Sequence, residues 1–267
     1  MKLGISSYSL TWSIGVPGYE PPANPLSAVD LLDISHKQSI SVVQIADNLP
    51  LHSLTLNDII NIKETSKKHN ITIEVGTKGT SPDHLLKYLN IAKDLKSSIV
   101  RTLITTPDII EAERDMKQVL PQFIEAGIQI AVENHGLHTT KQLVSLLNNI
   151  DSPYVGVCLD TVNSFGALEC PKQVIDDLVP YIINLHIKDF DIKRVKHMMG
   201  YEILGAPAGS GKLDVDVLIK SILKQSREPN AILELWTPFT NTVEETIKLE
   251  NQWFYQSLDF LKTKFSL

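Results

Sequence analysis

The feature that most constrains this chain is a repeated ending: short apolar, β-branched runs that stop at a residue able to do chemistry. In one, Ile128-Gln129-Ile130-Ala131-Val132 passes directly into Glu133, Asn134 and His135. A run this short and apolar reads as a strand buried on both faces, as in a parallel sheet covered by helices. A carboxylate where such a strand stops sits at the mouth of the sheet, where α/β folds hold their chemistry. The ending recurs three times: Tyr154 to Leu159 stops at Asp160, Tyr181 to Leu185 at His186, and Ala231 to Leu233 at Glu234.

The rest of the chain alternates around these runs. A first strand over 3–8 leads into a Gly- and Pro-rich loop over 12–24, long enough to be functional. A helix over 25–38 precedes a strand over 41–46, near whose end stand Gln44 and Asp47. A helix over 56–69 leads to a strand over 71–75 that carries Glu74, and a helix over 81–96 to a strand over 98–104 that holds Arg101. The helix over 107–126 opens on Pro107, a first position where the missing N–H breaks no bond. Helices over 139–149 and 171–178 follow the Glu133 and Asp160 strands. A long Gly-bearing segment over 190–212 follows His186, and helices over 215–225 and 243–262 flank the Glu234 strand. Eight strand–helix units in 267 residues, with no linker of distinct composition, predict one domain over 1–267. That domain is a closed (β/α)8 TIM barrel rather than an open doubly wound sheet. The nearest approach to a phosphate loop, residues 205–211, lies far from a strand–helix turn and is interrupted by Pro207.

The net charge of −6, without a basic run, argues against nucleic acid or an anionic membrane surface as a partner. Two cysteines, Cys158 and Cys170, give no disulfide framework, which fits a reducing cytoplasm. Met1 to Ser6 enters a strand-like run without the apolar core of a signal peptide, and no stretch is long enough to span a membrane.

In a barrel, the ends of the fifth to eighth strands bring Glu133, Asp160, His186 and Glu234 into one pocket. Three carboxylates this close repel one another unless a cation neutralises them. With one imidazole they suit one divalent metal ion, Mn²⁺, Mg²⁺ or Co²⁺ ahead of Zn²⁺. Four protein ligands on a six-coordinate ion leave two positions for adjacent oxygens of a small hydroxylated carbonyl substrate, whose α-proton is acidified when the carbonyl is polarised.

The motifs Ala131-Val132-Glu133-Asn134-His135, Leu159-Asp160-Thr161, Leu185-His186-Ile187-Lys188-Asp189 and Leu233-Glu234-Leu235 resemble those of the xylose-isomerase-like barrels of the sugar isomerase and epimerase superfamily. The Gly209-Ser210-Gly211 before Leu213-Asp214 strengthens the likeness, which covers essentially the whole chain. The resemblance implies a metal held by Glu133, Asp160, His186 and Glu234. It further implies that Glu133 and Glu234 are the catalytic acid and base of an isomerase or epimerase acting on a sugar or sugar acid through an enediolate. One position departs from the epimerase pattern: Asn163 stands where many epimerases carry a histidine. The segments around Asp160 to Ala167, Lys188-Asp189-Phe190 and His197-Met198-Met199-Gly200 are more similar to a subgroup that includes 3-oxo-isoapionate decarboxylase. For that subgroup the reaction is a metal-dependent decarboxylation of a 3-oxo sugar acid. A metal-dependent AP-endonuclease and a non-catalytic sugar-binding barrel are the remaining readings. Members of the family often pair, so a homo-oligomer fits.

Further candidates for substrate contact are His135, Asn163, Lys188, Arg101, Glu74, His197 and Trp12. Each has a plainer reading. Arg101, and Lys212 with it, pairs either a substrate anion or a structural carboxylate. Lys188 and Asp189 orient a ligand or form an ion pair at the barrel top. Glu74 is a supporting acid or a solvated strand end, and His135 and His197 line the pocket or stand in solvent. Trp12, with Tyr8, walls the pocket against substrate carbons or simply packs.

Overall fold

The computed structural model describes residues 1–265. Eight parallel strands close into a barrel in the order β1-β10-β7-β6-β5-β4-β3-β2. They are β1 (Leu3–Ser6), β2 (Val42–Ile45), β3 (Thr72–Gly76), β4 (Ile99–Leu103), β5 (Gln129–Glu133), β6 (Val155–Asp160), β7 (Ile182–Ile187) and β10 (Asn230–Leu233). Around them lie α2 (Ala28–Lys37), α3 (Leu56–His69), α4 (Pro82–Leu95), α5 (Ile109–Ala126), α6 (Thr140–Ile150), α7 (Pro171–Leu178), α8 (Val215–Lys224) and α9 (Val243–Phe265). No helix of the described residues is long and apolar enough to cross a membrane.

The local signals are legible one by one. Ser27 caps α2, accepting from the Asp30 amide while Asp30 accepts from the Ser27 amide, and Thr55 with Asp58 repeats the device on α3. Helix α5 turns its buried side, with Ala112, Met116, Val119 and Phe123, toward β5. Residues pair in register across the closed sheet, and side chains alternate between barrel interior and helical layer. Asp160 therefore faces His186 directly across β6 and β7. Two residues earlier on the same strands, Cys158 pairs with Asn184, one layer deeper.

Three expectations change. The helix expected from Pro107 begins at Ile109, because Asp108 takes the cap and accepts from the Ile110 and Glu111 amides at 3.0 and 3.3 Å. Pro107 thus lies before the helix. The segment over 190–212 is not all loop: β8 (Asp189–Arg194) and β9 (Tyr201–Ala206) form an antiparallel hairpin at the end of β7. Its alternating polar and apolar residues were masked by the glycines and methionines around the turn. The loop over 12–24 begins with one helical turn, α1 (Thr11–Ile14).

Gly205 seats the hairpin against the barrel mouth. A Cβ there would stand 2.1 Å from the carbonyl oxygen of Trp236, a backbone atom that cannot step aside. Gly205→Ala is expected to cost about 1–3 kcal/mol of stability in chemical denaturation, the usual range for overpacking. An unchanged midpoint would mean that the hairpin is loosely held.

Candidate active site

The ends of the strands surround a cavity of about 600 Å³. Glu133, Glu234, Arg101, Lys188, His135, Asn163 and Trp12 all line it, together with Tyr8, Asp47, Trp236 and Glu250. Asp160 and His186 lie at its floor, fully buried. Glu133 Oε2, Asp160 Oδ2 and Glu234 Oε1 stand 3.3, 3.9 and 3.4 Å from His186 Nδ1. The four residues expected to meet do meet.

Each is fixed from behind. Asn134 ties the β5 and β6 ends: its amide nitrogen donates to the Asp160 carbonyl at 2.9 Å, and its oxygen accepts from the Asp160 amide at 2.8 Å. Asp160 Oδ1 accepts from the Val162 and Asn163 amides, both at 2.8 Å, which leaves Oδ2 turned inward. His186 Nε2 is 2.7 Å from Gln44 Oε1. The Gln44 amide is oriented by its own donations to Glu74 Oε2 and Asn184 Oδ1, each at 3.1 Å, so its oxygen must accept from the imidazole. That bond leaves Nδ1 without a partner and aimed at the three carboxylates.

Two cations are built into the cluster. Arg101, at 2% exposure, ion-pairs with Glu133 and with Asp47 Oδ1 at 2.9 Å, and donates to the Thr77 carbonyl at 3.0 Å. Lys188 Nζ lies 3.0 Å from Asp160 Oδ2 and 2.9 Å from Glu234 Oε2. Burial alone would raise the Glu133 carboxyl, but Arg101 and His186 outweigh it and hold the group well below the usual carboxylate range. Glu234 is likewise raised by burial and lowered more strongly by His186 and Lys188. Burial works against the charge on Lys188, yet Asp160 and Glu234 keep its ammonium protonated far above neutral pH. Asn163 joins the set, donating to Glu133 Oε1 at 2.7 Å and lying 3.0 Å from His135 Nδ1.

Do these residues fit a metal ion? Among the described residues, the buried polar side-chain atoms without a hydrogen-bond partner are Asp160 Oδ2, His186 Nδ1, Glu234 Oε1 and Thr237 Oγ1. Three of the four belong to the expected ligand set, and ligand atoms of Asp160, His186 and Glu234 lie within 4.8 Å of one another. Buried polar atoms are rarely left unpaired. Lys188 is near Asp160 Oδ2 but is not aligned to hydrogen-bond it. Oxygen donors with one imidazole, converging and otherwise unsatisfied, fit a hard or borderline divalent cation.

Two of the expected substrate contacts lie elsewhere. Glu74 is one layer below the floor, accepting from Gln44, Asn184 and Asn230 at 3.1, 2.9 and 2.7 Å, and burial raises its carboxyl. Its strand ends two residues later, so alternation points it into the barrel below the cavity. His197 sits at the exposed turn of the hairpin, and Lys212 pairs with Asp191 at 3.4 Å on that arm. Asp189 is structural: its carboxylate accepts from the Gly209, Gly211 and Leu213 amides at 2.9, 3.0 and 3.0 Å. A Cβ on Gly211 would strike it at 2.2 Å, which explains why the Lys-Asp and Gly-Ser-Gly motifs occur together. Sequence reading missed Gln44 as the support of His186, Asp47 as the second anchor of Arg101, and Trp236 and Glu250 as cavity walls. Gln44 and Asp47 carried a signal, since both stand at a strand end. Glu250 carried none, being one acid among many on a long helix.

A family model described as "Xylose isomerase-like TIM barrel" matches residues 81–264. The chain belongs to that family and is an enzyme fold of its type. It is 33% identical to the 3-oxo-isoapionate decarboxylase of Pectobacterium atrosepticum, over 99% of this chain and 96% of the relative. Among solved structures it is similar to the D-psicose 3-epimerase of Clostridium cellulolyticum H10, with a TM-score of 0.72, 15% identity and 98% of each chain covered. A xylose isomerase-like barrel from Mycobacterium smegmatis, crystallised with magnesium, gives a TM-score of 0.67 at 14% identity over 97% of each chain.

The Gln44–His186 bond yields a prediction that does not depend on the reaction. Replacing Gln44 with Leu removes the acceptor that fixes the imidazole, and divalent-ion affinity is expected to fall about 10–100-fold by calorimetry. Unchanged affinity would show that the tautomer is set by other means.

Proposed function

We propose that the protein is a divalent-metal-dependent decarboxylase of a small 3-oxo sugar acid. The observation that carries this reading is the placement of Lys188 and Arg101 inside the carboxylate cluster. An epimerase needs two carboxylates free to take a proton from one face of carbon and return it on the other. Here Glu133 is ion-paired with Arg101 and Glu234 with Lys188, so both are poor bases. Loss of CO₂ asks for no carbon acid to be deprotonated. It asks for fixed positive charge where the oxyanion develops. The decarboxylase relative, aligned along nearly the whole chain, supports the same choice.

Glu133, Asp160, His186 and Glu234 would hold the metal, which when bound supplies a Lewis acid for the substrate's carbonyl. The rest falls to the chain's own groups. As the bond between C1 and C2 of the 3-oxo acid breaks, its electron pair moves onto C2 and the C3 oxygen. The Lys188 ammonium and the Arg101 guanidinium stabilise that charge without reorganising. C2 then takes its proton from water, while the Lys188 ammonium stays charged beside the oxygen. Asn163, bonded to Glu133 and lying 3.5 Å from Lys188 Nζ by its side-chain oxygen, keeps the two groups in register. The apolar faces of Trp12 and Trp236 exclude water from this side of the cavity.

The second reading, isomerisation or epimerisation with Glu133 and Glu234 as acid and base, is favoured by one observation: both glutamates reach the same cavity. Incubation in D₂O with Mg²⁺ and a panel of ketoses, aldoses and 3-oxo sugar acids separates the two. The decarboxylase releases CO₂ and places one deuterium on C2 of the product. Deuterium entering recovered or isomerised sugar, with no CO₂, would overturn it. Lys188→Met is expected to lower kcat for decarboxylation by about 10²–10³-fold, the usual range for removing one group that stabilises a developing oxyanion.

A further inference from the structure

Across the cavity from the metal ligands, one acid is used by neither the ion-pair cluster nor the proposed chemistry. Glu250 projects from α9, 1% exposed, to the start of the loop after β1. Its Oε1 accepts from the Trp12 amide at 2.8 Å. Its Oε2 accepts from the Ser13 amide at 2.9 Å and the Ser13 hydroxyl at 2.8 Å. These are donors at the start of α1, whose own cap residue, Leu10, offers no side-chain bond. Trp12 is fixed at its other end as well, because its indole N–H donates to the Thr237 carbonyl at 2.8 Å. Its ring packs on Tyr19 at 4.8 Å and on Phe239 at 5.5 Å between centroids, so the turn joins the first and last loops of the barrel mouth.

We propose that Glu250 is a positioning residue of the active site: its carboxylate holds the Trp12 turn in place as the apolar wall against which the substrate's carbon chain lies. The inference rests on the reading that this cavity receives the substrate. A turn needing only to be tidy would be capped by Ser, Thr or Asn close in sequence. Here the cap comes from 238 residues away, as a buried carboxyl that forms no salt bridge among the described residues. Burial lifts its carboxyl to about 7. A buried, unpaired carboxylate destabilises a fold unless each lone pair is engaged, and both oxygens here are spent on the turn that carries Trp12. Glu250 itself also lines the cavity, so movement of this turn alters the shape that the substrate meets.

Glu250→Gln tests this. The amide retains one acceptor oxygen and turns an NH₂ toward the other donors, so the turn loosens while the helix and core stay intact. The first readout needs no substrate and survives failure of the decarboxylase reading. In a background where Trp236 and Trp253 are Phe, acrylamide quenching reports Trp12 alone. Glu250→Gln is expected to raise its quenching severalfold with little change in Tm. In the otherwise native chain, KM for the substrate rises about tenfold while kcat stays within about threefold, the signature of lost uniform binding. Ser13→Ala, which removes one of the three donors, shifts both readouts the same way by less, and it serves if Glu250→Gln does not fold. Unchanged Trp12 quenching in the folded variant, or a fall in Tm with KM unaltered, would overturn the proposal.

Discussion

Everything at the mouth of this barrel depends on an imbalance of buried charge. Asp47, Glu133, Asp160 and Glu234 converge on two fixed cations, Arg101 and Lys188. The buried carboxylates outnumber the two buried cations, and Lys78, 3.9 Å from Asp47 Oδ2, adds only an exposed charge at the rim, so the cluster stays net negative. Water is largely excluded, so the excess cannot be dispersed, and carboxylates held this close raise one another's energy. The unpartnered atoms Asp160 Oδ2, His186 Nδ1 and Glu234 Oε1 lie where that excess is concentrated. Charge count and unmet hydrogen-bonding capacity point to the same place.

The layer below makes this arrangement durable. Asn230 and Asn184 hold Glu74, Glu74 and Asn184 orient the Gln44 amide, and Gln44 orients His186. The ordering follows from pairing register and two-residue alternation: inward positions two residues apart become successive floors of one shaft. Above, Asn163 links Glu133 to Lys188, and the hairpin of β8 and β9 presses Trp236 through a contact that admits only glycine at position 205. Glu133, Asp160, His186 and Glu234 are thus supported from the barrel interior, while the cavity walls depend on loops and on the last helix.

The sequence carried the barrel and the meeting of Glu133, Asp160, His186 and Glu234 well, because both rest on short-range grammar. A buried strand is an apolar run, and a residue that ends it must stand at the mouth. It carried the supports poorly. Glu74 looked like another strand-end acid, but only the register of β3 shows that it points below the cavity. His197 kept company with glycine and methionine that suggested a loop over the site, whereas the paired strands carry it away on an exposed turn. The sequence leaves Lys188 either orienting a ligand or forming an ion pair at the barrel top, and its place between Asp160 and Glu234 depends on two other strands. That position is what moves the reading from proton shuttling toward decarboxylation. Glu250 meets Trp12 only because the chain closes on itself, and no local pattern encodes such a contact.

The most direct test of the account is the number of divalent ions held per chain after chelator stripping, measured by titrating Mn²⁺ and reading bound ion by electron paramagnetic resonance. The net negative cluster and its unpartnered donor atoms predict one ion per chain in the native protein and its loss in Asp160→Asn, which removes a carboxylate of the cluster and one of those donor atoms together. A stripped protein that stays folded and takes up no Mn²⁺, or an Asp160→Asn variant that binds it as tightly as the native chain, would contradict it.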